Sequence, residues 1–242
     1  MKIFGLILVR ANSKRLPNKC FLNFGKISVL EHIIKRCRYF KITPIICTSN
    51  KKVNSKILQI AKKNKVKYFV GSDQNKIKRL SDCVKKFNIK YFHTIDADDP
   101  FFCGIQIRKS IKILLNGYDV VFPSKISSLG GASVGFSINS KFINELSSKI
   151  RSTQKTEMMW NFFKLIKNRR KITLQKQENE IKNVRLTLDY YEDYIFLKIL
   201  RDQLGNYASR KKLYSFIKKN KFLASINYFR NKEWKINQNY LK

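Results

Sequence analysis

Strand-like and helix-like segments alternate along the first 125 residues, and this order constrains the fold more than any other feature of the sequence. Apolar, β-rich runs predict strands at 2–9, 43–49, 67–70, 89–97 and 118–122. Helical spacing of apolar residues predicts helices at 28–40, 53–65, 75–87 and 105–115. A repeated βα order predicts an α/β fold with a mostly parallel sheet. Ligands bind such sheets beyond the carboxyl ends of the strands, so we expect the functional site there.

The second half of the chain has a less regular pattern. Residues 127–133 are predicted to form a loop, and 134–150 a strand and a short helix. A strand at 184–189 and an amphipathic helix at 190–204 follow. The last segment, 206–242, is predicted to be a basic helical extension.

The sequence contains no internal repeat and no Pro/Gly/Ser-rich linker. We therefore expect one domain over residues 1–242, with a core of about 1–205.

Four cations surround a small hydroxyl in the turn after the first strand. The stretch LVRANSKRLPNK, residues 8–19, places around Ser13 the side chains of Arg10, Lys14, Arg15 and Lys19. These like charges repel one another unless an anion lies among them. Two interpretations remain open: a solvated turn in which Pro17 prevents a helix, or a phosphate cradle made of a strand, a turn and a helix N-terminus. Neither a Walker loop nor a GxGxxG turn is present.

Six of the sixteen acidic residues fall in two short stretches, each where a predicted strand ends. DADD contributes Asp96, Asp98 and Asp99, and DYYED contributes Asp189, Glu192 and Asp193. Carboxylates in such positions either hold a hard cation such as Mg²⁺ or cap the following helix. The spacing alone leaves both interpretations open.

The formal net charge is +35, which is typical of proteins that bind nucleic acid or an anionic membrane surface. The lysines are spread along the whole chain, however, and no dense basic block occurs. Because nucleic-acid footprints cluster, background composition together with a small anionic substrate is the favoured interpretation. A nucleic-acid-binding surface remains the alternative.

Cysteine and histidine usage argues against disulfide, zinc and histidine-based chemistry. The five cysteines include no CxxC pair and are expected to be reduced, partly buried thiols. His32 and His93 stand in apolar segments and are expected to be structural. No apolar run is long enough to span a bilayer, and the short apolar N-terminus has no cleavage site. We therefore expect a cytoplasmic protein.

Five stretches, in chain order, resemble motifs of the CMP-sugar synthetases, the cytidylyltransferases that activate deoxyoctulosonate, acylneuraminate and related sugars. LVRANSKRLPNK resembles R-x-x-S-[KT]-R-L-P-G-K, and ICTSN resembles the A-T-S after the second strand. GSDQNKIKR resembles G-S-x-x-D-V-L-x-R, and DADDPFF resembles G-D-x-P-L-I. RLTLDYYEDY resembles R-L-T-V-D-T-P-E-D. The resemblance covers roughly residues 1–205 and is greatest to the branch associated with spore-coat polysaccharide biosynthesis.

The resemblance implies a three-layer nucleotide-diphospho-sugar transferase fold, similar to glycosyltransferase A, that binds CTP and Mg²⁺. It assigns triphosphate binding to Arg10, Ser13, Lys14, Arg15 and Lys19, and direct roles in catalysis to Arg10, Arg15 and Lys19. It places near the nucleotide Thr48, Ser49 and Arg79. It assigns Mg²⁺ binding to Asp98 and Asp189.

The sequence departs from the family motifs at five positions. Asn18 replaces the loop glycine, and we expect it to be tolerated because Asn adopts left-handed backbone angles more readily than other non-glycine residues. Ala97 replaces the glycine before the metal aspartate, and Tyr190 and Tyr191 replace Thr-Pro. Gly135 stands where the spore-coat branch has Glu, which predicts an altered sugar pocket.

These features favour a Mg²⁺-dependent cytidylyltransferase that transfers CMP from CTP to a sugar, an acidic keto-sugar by the resemblance, for surface polysaccharide synthesis. Nucleotidyl transfer depends on charge neutralisation and alignment, so it needs no Cys-His or Ser-His pair. Three alternatives stay open: another nucleotide-sugar pyrophosphorylase, a degenerate homologue without turnover, and a basic nucleic-acid-binding protein. The assembly is also open, with a homodimer as one option.

Overall fold

The computed structural model describes residues 2–49, 52–124, 134–175 and 181–239. Its strands are β1 Ile3–Leu8, β2 Ile42–Ser49, β3 Lys67–Gly71, β4 Tyr91–Asp96, β5 Val120–Phe122, β6 Ser137–Asn139 and β7 Lys171–Thr173. Its first helices are α1 Val29–Tyr39, α2 Ser55–Lys63, α3 Lys76–Lys86, α4 Gly104–Leu115 and α5 Ser140–Ser148. The later ones are α6 Tyr191–Leu204, α7 Arg210–Lys219, α8 Ser225–Tyr228 and α9 Arg230–Asn239.

The strands form one sheet in the order β3-β2-β1-β4-β6-β5-β7. β6 is antiparallel to β4 and β5, and the other neighbouring strands are parallel. Leu8 pairs with Cys47 on one side and with Asp96 on the other. The carboxyl ends of β1, β2 and β4 therefore meet at one edge, where the strand order reverses.

Side chains that alternate along β1 build two cores. Ile7 packs with helices α1, α2, α4, α6 and α7, whereas Leu6 packs with α3 and α5. This alternation follows the period of two residues along a strand. Helices thus cover both faces of a mostly parallel sheet, and the predicted three-layer α/β fold is confirmed.

The described part of the C-terminal extension is largely helical. Leu213 and Ile217 of α7 are buried in the same core as α1 and α6. The extension is therefore packed against the layer of helices on one face of the sheet.

Three sequence predictions need correction or lie outside the described residues. The predicted strand at 184–189 is wrong, because this segment is buried but forms no strand ladder. No α-helix begins directly after the basic turn, where a 3-10 helix at Lys19–Phe21 precedes α1. The predicted loop at 127–133 lies outside the described residues.

The cysteines are free and more buried than predicted, because each is at most 4% exposed. His32 and His93 are fully buried and hydrogen-bonded, which agrees with a structural role. Within the described ranges, no helix has the length and apolar character needed to cross a membrane.

Candidate active site

A cleft of about 600 Å³ lies at the sheet edge formed by the ends of β1, β2 and β4. The basic turn, β4, α3 and α9 contribute to its walls. The residues predicted from sequence that line it are Arg10, Ser13, Lys14, Arg15, Lys19, Ser49, Arg79 and Asp98. The cleft therefore stands at the place expected for an α/β sheet.

Lys19 joins the two predicted metal carboxylates. Its Nζ lies 2.7 Å from Asp98 Oδ2 and 3.0 Å from Asp189 Oδ1. Arg15 Nη2 donates to the same Asp189 oxygen at 2.6 Å. Residues 15–19, 98 and 189 thus converge on one point, although almost the whole chain separates them.

The charges of this cluster stabilise one another. Burial alone would lower the pKa of Lys19, but Asp98 and Asp189 raise it above its ordinary value. Burial alone would raise the pKa of Asp189, but Lys19 and Arg15 hold it well below its usual range. Lys19 and Asp189 are consequently both ionised at neutral pH.

Arg185 binds the carboxylate oxygen of Asp189 that Arg15 and Lys19 do not contact. Its fully buried guanidinium donates to Asp189 Oδ2 at 3.2 Å and to both carboxylate oxygens of Asp193. Asp193 Oδ2 in turn accepts hydrogen bonds from the backbone N–H groups of Asp189 and Tyr190, each at 2.9 Å. These bonds fix the carboxylate of Asp189 in one orientation.

The alternative that the two acidic stretches cap helices is wrong for Asp98, Asp99 and Asp189. In the second stretch Asp193 forms a capping box with Tyr190, the N-cap residue of α6, and its carboxylate accepts hydrogen bonds from the backbone N–H groups of Tyr190 and Asp189. In the first stretch, residues 96–99 form a turn, and α4 begins only after Cys103.

A second group of charges lines the cleft and was largely missed from sequence. Arg10 Nη2 lies 2.8 Å from Glu157 Oε2, and Lys76 Nζ lies 3.6 Å from Asp96 Oδ1. Arg10 and Glu157 are 147 residues apart, and no local pattern marks Glu157 as functional. Asp96 belongs to the first acidic stretch, but the resemblance assigns no role to it.

Arg79, Ser49 and Thr48 differ in their access to the cleft. The Arg79 guanidinium lines the cleft and donates to the carbonyl oxygens of Ser72 at 2.6 Å and of Asp73 at 3.3 Å. Ser49 lines it too, although its hydroxyl accepts from Asn54 Nδ2 at 3.0 Å. Thr48 is fully buried and is not a lining residue.

The departures from the family motifs have local structural causes. Asn18 adopts a left-handed conformation with φ 57° and ψ 21°, as expected for Asn at a glycine position. Gly135 has φ +83°, and a Cβ there would lie 2.0 Å from the Thr94 carbonyl oxygen. This backbone therefore has no room for the Glu that the spore-coat branch carries.

Comparisons with known proteins agree with this architecture. The family described as "Cytidylyltransferase" matches residues 4–236. MJ1063, an uncharacterized protein of Methanocaldococcus jannaschii, is 27% identical over 237 residues, which are 94% of this chain and 95% of that protein.

Two solved structures share the fold. A cytidylyltransferase from Leptospira borgpetersenii serovar Hardjo-bovis is 24% identical, with a TM-score of 0.80 over 93% of this chain and 97% of that chain. CMP:2-keto-3-deoxy-manno-octonic acid synthetase complexed with CTP is 12% identical, with a TM-score of 0.62 over 84% of this chain and 99% of that chain.

The family match spans nearly the whole described chain, including the basic turn and both acidic stretches. The chain therefore belongs to the cytidylyltransferase family and is a nucleotidyltransferase.

Proposed function

We propose that this enzyme transfers CMP from CTP to a sugar hydroxyl, with release of pyrophosphate, and that the acceptor is an acidic keto-sugar used for surface polysaccharide. The observation that carries the proposal is the meeting of Asp98 and Asp189 at the ammonium of Lys19. It joins a cationic turn, suited to phosphates, to a pair of carboxylates, suited to a divalent cation.

The two carboxylates fit a Mg²⁺ ion. Asp98 Oδ2 and Asp189 Oδ1 already face a common cationic group within 3.0 Å. Mg²⁺ is commonly held by one or two carboxylates together with phosphate oxygens and water. No group of three His, Cys, Asp or Glu side chains suited to a metal occurs among the described residues, so phosphate oxygens and water would have to complete the coordination of an ion at these two carboxylates. When bound, Mg²⁺ would neutralise charge on the phosphates.

The basic turn suits the triphosphate. In the structure, Arg15 and Lys19 neutralise Asp189 and Asp98. On nucleotide binding these cations exchange a carboxylate partner for phosphate oxygens, and Lys14, which is exposed in the cleft, adds a further charge. The guanidinium of Arg15 can bind two phosphate oxygens at once, whereas Lys19 acts as a point charge.

The reaction needs alignment more than a nucleophile from the protein. The sugar hydroxyl attacks the α-phosphate in line, and pyrophosphate leaves towards Arg15 and Lys19. Lys76 supports an acidic acceptor, because it is a cation of the same cleft to which the resemblance gives no role in binding the triphosphate, and its Nζ lies 3.6 Å from Asp96 Oδ1. A carboxylate on the acceptor is the kind of group that such cations bind.

Pyrophosphate release from CTP, measured with Mg²⁺ and a panel of acidic keto-sugars, tests the proposal. We expect turnover with wild-type protein and at least a 100-fold loss of kcat/KM in Asp98→Asn, with an unchanged far-UV circular dichroism spectrum. Asp202→Asn is the matched control, because Asp202 is exposed on α6 and pairs with Arg201. We also expect the thermal shift caused by CTP with Mg²⁺ to be lost in Asp98→Asn and kept in Asp202→Asn.

The same assay separates the alternatives. Turnover only with a sugar phosphate, or a thermal shift with another nucleoside triphosphate instead of CTP, would replace the proposal with a different nucleotide-sugar pyrophosphorylase. A CTP-induced shift without turnover on any acceptor would indicate a homologue that binds nucleotide only.

A further inference from the structure

The C-terminal helix α9 reaches the cleft. Asn237 of α9 lines the cleft together with residues of the basic turn. Its Nδ2 donates to the hydroxyl of Tyr190 at 3.3 Å. A segment outside the five motifs that resemble the family thus contributes to the wall of the site.

Tyr190 connects this helix to the phosphate-binding turn. Its ring is 5% exposed and has three guanidinium carbons within 6 Å of its centroid. They belong to Arg15 at 5.7 Å, Arg185 at 5.2 Å and Arg230 at 5.1 Å. Arg15 and Arg185 are also the two arginines that bind Asp189.

The C-terminal segment is anchored to the same network. Asn227 Nδ2 donates to the Arg185 carbonyl oxygen and to Asp193 Oδ1, each at 2.9 Å. Arg230 forms an ion pair with Glu192 at 2.8 Å, and the Trp234 ring lies 5.5 Å from the Arg185 guanidinium. The position of α9 is therefore tied to the residues around Asp189.

We propose that Tyr190 is a positioning residue for Arg15 and that α9, through Asn237, holds Tyr190 in place. This inference rests on the proposed function, in which Arg15 binds the triphosphate. A guanidinium held over the face of an aromatic ring by a cation–π interaction keeps its N–H groups as hydrogen-bond donors. Arg15 can thus exchange Asp189 for phosphate oxygens while the Tyr190 ring keeps its guanidinium in the cleft.

Calorimetric titration with CTP and Mg²⁺, together with steady-state kinetics, tests this role. We expect Tyr190→Leu to raise the dissociation constant and the KM for CTP about tenfold, while Tyr190→Phe, which keeps the ring, raises them two- to threefold. Tyr191→Leu is the matched control with no change, because Tyr191 is 62% exposed on the same helix. A purely structural role would lower the melting temperature of Tyr190→Leu and leave the KM of the folded fraction unchanged, which would overturn the proposal.

A double-mutant cycle identifies the partner through which Tyr190 acts. We expect Tyr190→Leu to have no further effect on CTP affinity in an Arg15→Leu background, whereas additive effects would show that Tyr190 does not act through Arg15. If Tyr190→Leu does not fold, Asn237→Leu decides the question. We expect this variant to raise the dissociation constant for CTP two- to threefold, and an unchanged dissociation constant would contradict the proposal. Wild-type protein that binds no CTP would overturn the proposed function itself, whereas wild-type affinity in folded Tyr190→Leu overturns only the inference.

Discussion

Gly135 shows at the scale of one residue how the backbone excludes a side chain. Its φ of +83° disfavours L-residues, and a Cβ would lie 2.0 Å from the Thr94 carbonyl oxygen. Gly205 has nearly the same φ, +81°, but a Cβ there meets nothing within 4 Å. A comparison of alanine substitutions at the two glycines therefore distinguishes the cost of backbone strain from the cost of steric overlap.

We predict that Gly135→Ala lowers the free energy of unfolding by about 4 kcal/mol, whereas Gly205→Ala, at φ 81° and ψ 171°, costs about 2 kcal/mol, the strain alone. Urea unfolding of the two variants measures the difference. Equal losses would mean that the strands around Thr94 move apart at little cost, contrary to the packing described here.

His32 predicts a pH dependence of stability. Its ring is fully buried, Nε2 donates to the Pro100 carbonyl oxygen at 2.9 Å, and burial together with the neighbouring Arg36 lowers its pKa to about 3. Between the unfolded value of 6.5 and about 3, the unfolded chain binds a proton that the folded protein does not. The stability from neutral His32 is therefore complete above the unfolded pKa and decreases as the pH falls.

At pH 5 the expected loss from His32 is about 2 kcal/mol relative to pH 7.5. His32→Phe removes this titration, while its ring can remain between Phe24 and Phe101, the aromatic neighbours of His32. We expect the variant to be less stable at pH 7.5 by about 1 kcal/mol, from the lost hydrogen bond, but to lose less stability on acidification. Parallel stability curves for the two proteins would contradict the role given to His32.

At the scale of elements, a buried arginine joins helix α1 to the C-terminal segment. The Arg36 guanidinium donates to the carbonyl oxygens of Phe102 at 3.0 Å, Asn206 at 3.0 Å and Ala208 at 2.9 Å. Burial and the nearby Arg210 lower its pKa to about 10. Two backbone segments, one at Phe102 and one at 206–208, thus receive hydrogen bonds from one side chain.

We predict that Arg36→Met lowers the free energy of unfolding by about 3 kcal/mol, because two buried carbonyl oxygens and one partly buried carbonyl oxygen lose their donor. The variant no longer has to bury a charged guanidinium, which offsets part of this cost. The expected loss is therefore smaller than the summed cost of leaving three carbonyl oxygens without a donor. Arg38→Met is the control on the exposed side of the same helix, with a change within about 0.5 kcal/mol. Chemical denaturation followed by circular dichroism compares the two variants.

The segment at 184–189 shows which element the sequence could not predict. Val184, Leu186 and Leu188 alternate with polar residues, and every residue of 184–189 is buried, so the pattern correctly indicated a segment that packs into the core. Its backbone, however, is not part of the sheet: Leu188 N–H donates to the Asp98 carbonyl oxygen, which lies beyond the end of β4. The alternation of apolar and polar residues indicates which side chains are buried, but it does not indicate which groups the backbone bonds to. The same pattern therefore occurs in a strand and in a buried connection.

At the scale of the whole molecule, the site is assembled from residues between positions 10 and 237. The basic turn and the acidic strand ends were predictable because their charges cluster within a few residues, as in Arg15 and Lys19. Glu157, Lys76 and Asn237 were not, because each is a single polar residue whose role depends on distant partners. Local clustering of charge is therefore the part of such a site that a single sequence reveals.

The net charge of +35 also acts at the scale of the whole molecule and separates the enzyme from the nucleic-acid-binding alternative. Spread over a surface, such a charge attracts any polyanion, and salt screens this attraction strongly. The logarithm of the affinity for a single-stranded oligonucleotide falls with the logarithm of salt concentration with a slope of about −0.7 per phosphate contacted. Lys19 and Asp98 instead line the cleft and, together with the buried Asp189, are largely withdrawn from solvent, where salt screens less.

We therefore predict that a fluorescent single-stranded RNA binds at low salt and dissociates as NaCl approaches about 0.3 M, whereas the thermal shift caused by CTP with Mg²⁺ persists. Anisotropy and thermal-shift titrations over the same salt series provide the comparison. The melting temperature without ligand should rise over this series, because screening reduces repulsion among the excess cations. RNA binding with nanomolar affinity that depends on sequence and persists at about 0.3 M salt, together with no thermal shift from CTP, would instead indicate that the protein binds nucleic acid as its ligand.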